Sequence, residues 1–243
     1  MANVVQYSYS TYIENIKLML LFSLSFIIAF LIPLFASFPT FNDAGAIFIR
    51  TASIFVNMNS ISASIIIISL FFSLLFLSFA IVAINVVVKH SRVNTRITRE
   101  VMQGLEKYTS KVFMVLLLLS FVIIVVDVLS FGSGYSGIIT SIAVLLLTPF
   151  IFYAPASIVI DDSRVWRAFK ASFLFFFKRF DYFILWLVIS IVLVTLFDFI
   201  FISIFGTVWS RYAMLIFNAI FIMPFLLVLQ SEMYMKRFRM LKR

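Results

Sequence analysis

The chain has 243 residues, of which 64% are hydrophobic and only 12% are charged. Soluble domains contain about 45–50% apolar and about 25% charged residues, so this composition excludes an ordinary water-soluble globular domain. Cysteine is absent and His90 is the only histidine. Disulfides, thiolate metal sites and cysteine nucleophiles are therefore excluded, as are the usual histidine-rich metal clusters, and we expect no cofactor.

Six apolar segments are long enough to cross a bilayer, which takes roughly 20 helical residues. They cover residues 16–35, 61–88, 111–129, 138–160, 182–205 and 212–231. The first fifteen residues are polar and no small-residue cleavage site follows the first apolar segment, so we expect this segment to be retained rather than removed as a signal peptide. The sequence thus predicts an all-α polytopic transmembrane helical bundle that forms a single integral membrane domain over residues 1–243.

The basic residues are distributed unevenly between the two sides of these spans. Only Arg50 and Arg211 lie in the outer connections, whereas the other 17 of the 19 Lys and Arg residues lie near the N-terminus, in the 89–111 and 161–181 connections or in the C-terminal tail. Cytoplasmic loops of membrane proteins carry the excess of Lys and Arg, so we expect a cell-membrane protein with both termini in the cytoplasm. The net charge of +9 then indicates a face that contacts anionic lipid headgroups, and not a nucleic-acid-binding domain.

Both basic connections have apolar residues at helical spacing and are predicted to form two interfacial amphipathic helices on the cytoplasmic face. Their apolar stripes are Ile97, Val101, Leu105, Tyr108 and Val112 in residues 96–112, and Val165, Phe169, Phe173, Phe176 and Phe180 in residues 163–180. The basic side chains predicted to contact anionic lipid are Arg96, Arg99, Arg164, Arg167, Lys170, Lys178 and Arg179. Asp161, Asp162 and Ser163 are predicted to cap the second helix. The order span, basic helix, span occurs twice and indicates a weak internal duplication.

The stretch YAPASIVIDDSRVWRAFKASFLFFFKRFDYF, residues 153–183, resembles a pattern in a broad group of six-helix prokaryotic membrane proteins. This group includes the membrane domain found beside some glycerophosphodiester phosphodiesterases. The resemblance rests on Pro155-Ala156, an acidic turn at Asp161-Asp162, then Ala168, Ser172 and a basic-aromatic exit into the next span. It implies the six-span fold but no chemistry, because we expect no phosphodiesterase domain within these 243 residues.

Two acidic residues, Asp127 and Asp198, lie inside predicted spans, towards their outer ends. An ionisable residue within a span is costly and is by default a candidate functional site. The two carboxylates are predicted either to form a cation or proton site or to pair with the outer arginines Arg50 and Arg211. No nucleophile or oxyanion donor is arranged around them, so they do not by themselves indicate an enzyme.

Proline and amide residues mark further positions within the spans. Pro149 and Pro155 are predicted to kink the fourth span, either simply between packed helices or as a broken helix at a transport site. Asn85, Asn218 and Gln230 are predicted to form hydrogen bonds between helices.

Two outer connections complete the layout. Residues 132–137 read G-x-G-x-x-G, which outside a βαβ unit predicts a tight turn and not a dinucleotide-binding loop. Residues 44–57 are apolar but too short to cross a membrane, and they are predicted to form an outer interfacial helix.

Three classes of function remain open for such a chain. The scarcity of polar residues in the spans favours a non-catalytic scaffold, assembly factor or accessory subunit that contacts other membrane protein subunits. The alternative is a small-solute or ion transporter that uses Asp127, Asp198 and the kinked fourth span. A lipid-handling enzyme would need catalytic groups that the sequence does not offer, so we expect no enzymatic activity.

Overall fold

The computed structural model of the chain describes residues 2–35, 60–91, 97–130 and 133–239, and all regular structure in these ranges is helical. The helices are α1 (Ala2–Glu14), α2 (Ile16–Phe35), α3 (Ser60–His90), α4 (Ile97–Ser130), α5 (Ser136–Ile151), α6 (Ala154–Ile160), α7 (Val165–Lys178), α8 (Phe180–Phe217) and, after a π-helical turn at Asn218–Ile222, α9 (Met223–Arg239). The predicted all-α class is confirmed. The outer helix predicted at 44–57 lies outside the described residues.

Five helical stretches in the described ranges are long and apolar enough to cross a membrane. They are Ser64–His90, Arg99–Ser130, Ser136–Ile160, Phe180–Gly206 and Trp209–Lys236. The count rises to six if α1 and α2, which are bent by 88° relative to each other, form one broken span. α2 itself has the boundaries predicted for the first span, residues 16–35.

Helix α1 was not predicted, because the first fifteen residues are polar by composition. Its buried residues nevertheless recur at helical spacing, at Val4, Ser8, Thr11 and Tyr12. This face packs along α9: Thr11 Oγ1 donates to Glu232 Oε1 at 3.4 Å, and the Tyr12 ring meets that of Phe225 edge-on at 5.8 Å. The first and last helices of the chain are thus joined by direct contact.

Helix α4 combines two elements that the sequence separates, the basic helix at 96–112 and the third span. It is a continuous helix of 34 residues, about 51 Å long at 1.5 Å per residue. The two predicted elements are not separated, because their junction from Ser110 to Phe113 contains no Gly or Pro that would end the helix. The apolar stripe predicted for the basic helix is buried from Val101 to Val112, and it packs against α3. These residues belong to the same helix as the third span, so they do not form a separate interfacial helix.

The second basic helix, α7, is separate from the span that follows it. The helical φ/ψ angles end at Arg179 (φ −132°, ψ 48°), whose guanidinium pairs with Asp181 at 3.3 Å and lies 4.0 Å from the centroid of the Tyr182 ring. The two span–helix–span units therefore have the same order of elements but different connections.

The best-packed part of the bundle is its basic end, defined as the end at which α3 stops at His90 and α6 stops at Ile160. Residues 80–88 of α3 are all buried, within a hydrophobic cluster to which α2, α4, α6, α7 and α9 also contribute. Towards the opposite end, α5 and α8 expose large apolar side chains over most of their length. The packing therefore holds the helices together mainly at the basic end.

The last two spans are divided by Gly206, whose φ of 70° and ψ of 176° are non-helical. Only glycine adopts these angles without strain, and they turn the chain between the predicted fifth and sixth spans. Further on, Pro224 lacks the N–H that would bond four residues back, and the π-helical turn, in which Met223 N–H bonds Asn218 O, accommodates the distortion directly before it.

Candidate functional site

The fourth span is broken at Phe152-Tyr153, between α5 and α6. Pro149 and Pro155 each lack the N–H that would bond four residues back in a helix, so the regular hydrogen bonding is interrupted here. Ser172 of α7 bonds two buried backbone groups at the break: its Oγ accepts from Tyr153 N–H at 2.9 Å and donates to Pro149 O at 2.8 Å. One hydroxyl thus bridges the break.

A second side chain reaches the break from α9. Gln230 Nε2 donates to the carbonyl of Phe152 in a short contact, which confirms the predicted interhelical bond of Gln230. The Phe152 ring packs edge-on against Trp186 of α8, with centroids 4.9 Å apart, and Trp186 Nε1 donates to Leu226 O at 2.9 Å. Helices α7, α8 and α9 therefore all contact the broken segment.

The other predicted amides differ in outcome. Asn85 Oδ1 accepts from Ser231 Oγ at 2.7 Å, while Asn85 Nδ2 donates to Ile81 O of its own helix at 2.7 Å. Asn85 thus joins α3 to α9 as predicted. Asn218 is buried, yet in the described part of the chain its side chain makes no hydrogen bond, so the prediction is not met there.

The acidic turn after α6 does not cap α7, which corrects the sequence prediction. The N-cap residue is Arg164, and no side chain bonds to the helix end. Asp161 instead accepts a hydrogen bond from Tyr234 Oη at 2.6 Å, and Ser163 Oγ lies 3.2 Å from Ser157 Oγ. Asp161 is thus engaged by α9 and Ser163 by α6, and neither side chain bonds the N–H groups of α7.

Asp162 pairs with two lysines of α4. Lys107 Nζ makes a short contact to Asp162 Oδ2, and Lys111 Nζ lies 3.4 Å from Asp162 Oδ1. The hydrogen bond from Lys107 holds the pKa of Asp162 below its usual value, so the carboxylate stays ionised at neutral pH. Asp162 is also a non-glycine residue with positive φ, 49°.

A third lysine completes a cluster at this end of the bundle. Lys89, at the end of α3, donates from Nζ to Val159 O at 2.6 Å. The Nζ atoms of Lys89, Lys107 and Lys111 lie 5.6, 5.1 and 5.4 Å from the centroid of the Tyr108 ring. We call these three lysines, with Tyr108 and Asp162, the lysine cluster.

The basic residues predicted to contact lipid are mostly exposed. Arg99, Arg164, Arg167, Lys170 and Lys178 are exposed and Arg179 is half-buried, while Arg96 lies outside the described residues. The buried face of α7 is rotated from the predicted stripe: Ala168, Ser172, Phe175 and Phe176 are buried, whereas Phe180 is exposed. The prediction considered only large apolar residues, and it therefore missed the small residues Ala168 and Ser172 at the contact.

Asp127 is the most buried of the predicted outer site residues, with 3% of its surface exposed. Thr140 Oγ1 lies 3.0 Å from both Asp127 Oδ1 and Ser136 O, so its single proton serves one acceptor at a time. Asp127 Oδ2 is buried and has no hydrogen-bond partner among the described residues. The Asp127 carboxyl therefore has an oxygen left over for a further donor or cation.

Asp198 and Arg211 do not join this group. Asp198 is half-buried on α8 and Arg211 is exposed after the Gly206 turn. Within the described ranges neither of them makes an ion pair, and Arg50 lies outside these ranges. The structure thus does not bring the two predicted carboxylates together.

A groove of about 530 Å³ lies beside the 132–137 turn. It is lined by Gly134, Tyr135, Gly137, Ile138, Ser141, Ile142 and Leu145. Its walls carry no charged side chain, and the described part of the G-x-G-x-x-G string forms a turn leading into α5, as predicted.

Several residues at the basic end were missed by sequence reasoning, namely Ser172 as a bridge, Lys89 as a donor to α6, and the buried Glu232. For Glu232 a signal existed, because a carboxylate directly after the apolar run 212–231 breaks the basic pattern of the tail. For Ser172 only the proximity of Pro149 and Pro155 in the folded chain reveals the role.

No protein-family model matches the sequence, and neither a curated protein nor a solved structure is significantly similar to it. The resemblance of residues 153–183 to the six-helix prokaryotic group therefore stays an expectation, and the function has to be argued from the structure of this chain alone.

Proposed function

We propose that the protein is a non-catalytic component of a membrane assembly, as a scaffold, assembly factor or accessory subunit. The helices described above make it a helical protein with membrane-length apolar segments. Several of its buried or half-buried polar side chains join helices to one another, as Ser172, Asn85 and Gln230 do. Such bonds stabilise a bundle and leave few groups for chemistry.

The observation that carries this proposal is an apolar flank of α8 that no other helix in the described ranges covers. In the most apolar 18-residue segment of Phe180–Gly206, no residue is buried. In the corresponding segments of the other four membrane-length stretches, 22–50% of the residues are buried. The exposed flank includes Val192, Leu196 and Phe199. A span that its own bundle covers so little is the natural contact for a helix of another subunit, since helices in lipid associate through close packing.

A cross-linking experiment tests this proposal, because the natural chain has no cysteine. We expect a single cysteine at Leu196, on the exposed flank, to cross-link in native membranes to one stoichiometric partner protein. A cysteine at Phe197, half-buried with its ring 4.4 Å from that of Phe217, is the matched control and is expected to give no such product. A cross-link to residues 36–59 of the same chain, or to no protein at all, would contradict the proposal.

Transport is the second candidate, and the buried Asp127 is the specific observation that favours it. Its partnerless Oδ2 atom is the kind of group that a proton or cation pathway uses. If the chain acts this way, the purified protein in liposomes carries an ion flux that Asp127→Asn abolishes while its thermal unfolding stays unchanged. If the natural protein carries no ion flux, the transport proposal is contradicted and only the assembly proposal remains.

We also propose that the basic end faces the cytoplasm, with both termini on that side. The charge distribution supports this direction, and the contact between α1 and α9 supports placing the two ends of the chain together. It follows that Ser91 and Ser133 lie on opposite sides of the membrane.

Labelling of single cysteines is expected to show this difference. Ser91 and Ser133 suit the substitution because each hydroxyl bonds only a carbonyl of its own helix, at 2.9 and 2.7 Å. A membrane-impermeant thiol reagent should label Ser133→Cys in intact cells and Ser91→Cys only after permeabilisation. Labelling of both from one side would show that the span count or the direction is wrong.

A further inference from the structure

We propose that Lys89, Lys107 and Lys111 form a binding site for a phosphate group, such as that of an anionic phospholipid headgroup, and that Asp162 occupies this site when no ligand is bound. The inference is independent of the proposed assembly role, because it concerns the basic end of the bundle and not the flank of α8.

The first support is the convergence of three ammonium groups on one place. Their Nζ atoms all lie between 5.1 and 5.6 Å from the centroid of the Tyr108 ring. Tyr108 is buried, so its ring is a fixed platform, and an ammonium near such a ring is attracted to it. The lysines come from two helices, α3 and α4, and are thus held together by the fold rather than by adjacency in sequence.

The second support is the way in which the Asp162 carboxylate is bound. Its two oxygens contact different lysines, Lys107 at Oδ2 and Lys111 at Oδ1. A phosphate monoester, such as the headgroup of phosphatidic acid, has the same ability to bridge two ammonium groups, and it offers one more terminal acceptor oxygen and more negative charge than a carboxylate. It can therefore replace Asp162 and also engage Lys89, which donates to the Val159 carbonyl in this structure.

The third support is accessibility. The side chains of Lys107, Asp162 and Lys111 are 53%, 46% and 30% exposed, so a headgroup or a free anion can reach them. The site also lies beside the start of α7, where Trp166 is 77% exposed, as expected of a tryptophan at the level of lipid headgroups.

The backbone of Asp162 indicates that the carboxylate contact holds the turn in place. Its φ of 49° lies in the left-handed region, which is less favourable than the right-handed one for any residue except glycine. Displacement of the carboxylate by a phosphate would free the connection between α6 and α7. Occupation of the site would thereby be coupled to the position of α7 and of Ser172 on it.

Binding of short-chain phosphatidic acid to the purified protein in detergent tests the proposal, with short-chain phosphatidylcholine as the zwitterionic control lipid without net charge and inorganic phosphate as the free anion. We expect Asp162→Asn to bind phosphatidic acid about tenfold more tightly than the natural chain, since the internal competitor has lost its charge. Lys107→Gln and Lys111→Gln should each weaken binding about tenfold. Lys17→Gln, at the exposed side chain of a lysine near the start of α2, is the matched control and should leave the affinity unchanged.

The arms separate the possible outcomes. Binding of phosphatidic acid but not of inorganic phosphate identifies a lipid headgroup as the ligand. Binding of both shows that a free phosphate is sufficient to occupy the site. Asp162→Asn keeps all three lysines, so an unchanged affinity in a variant that unfolds at the natural temperature would overturn the proposal. Equal losses in Lys107→Gln and Lys17→Gln would also overturn it, because they would indicate a diffuse basic surface.

Discussion

Replacement of Ser172 by alanine is expected to destabilise the protein by about 2–4 kcal/mol. The hydroxyl accepts from Tyr153 N–H and donates to Pro149 O, and both groups lie in a buried break where water cannot replace it. An unsatisfied buried donor or acceptor costs about 1–3 kcal/mol, and Ser172→Ala creates one of each. The loss of van der Waals contacts is small in comparison, because serine and alanine differ by a single oxygen atom.

Thermal or denaturant unfolding of the detergent-solubilised protein measures the effect. Ser203→Ala is the matched control: Ser203 is exposed on α8 and bonds only Phe199 O of its own helix, so its loss is expected to stay within about 0.5 kcal/mol. Equal stability of the two variants would show that the break is satisfied in some other way.

Tyr153→Phe tests the same reasoning, but here the expected change in stability has the opposite sign. The hydroxyl of Tyr153 is buried and has no hydrogen-bond partner among the described residues, so removing it deletes an unsatisfied group. The variant should be as stable as the natural chain or slightly more stable, although it alters the same residue whose N–H Ser172 binds.

The sequence was sufficient for features that depend on composition and spacing. The apolar run at 16–35 became α2 with the predicted ends, and the stripe from Val101 to Val112 is buried as its helical spacing required. These features are local, because hydropathy and periodicity report which residues must leave water whatever they pack against. α1 escaped prediction because its buried face includes Ser8 and Thr11, which a hydropathy reading counts as polar.

The site depends on contacts between residues far apart in sequence, which no local pattern encodes. Asp161 is a reasonable helix cap by type, yet it bonds Tyr234, which is 73 residues away in the chain. Likewise Asp162 pairs with Lys107 across 55 residues. The charge distribution predicted that the lysines would lie at one end of the bundle, but only the fold decides which residues they meet.

Helices α3 and α4 are expected to resist any side chain at Gly104 of α4, which packs against Val86 of α3. A Cβ atom built on Gly104 would stand 2.6 Å from Cγ2 and 3.2 Å from Cγ1 of Val86. Val86 is buried and β-branched, so it has almost no freedom to rotate away. Alanine is favoured over glycine in a helix by about 1 kcal/mol, but overpacking costs about 1–3 kcal/mol. Gly104→Ala should therefore destabilise the protein by up to about 2 kcal/mol.

Gly137→Ala is the matched control, because nothing lies within 4 Å of the Cβ position at Gly137. This variant should be neutral or slightly more stable, so unfolding measurements on the two glycine variants are expected to differ in sign. The double variant Gly104→Ala, Val86→Ala then identifies the cause. If the Val86 methyl groups are the obstacle, their removal makes room for the new Cβ, and the double variant loses less stability than the sum of the two single losses, by about 0.5–3 kcal/mol. Strictly additive losses would mean that the two helices do not meet at Gly104, and that the packing of α4 against α3 at the basic end is looser than the structure shows.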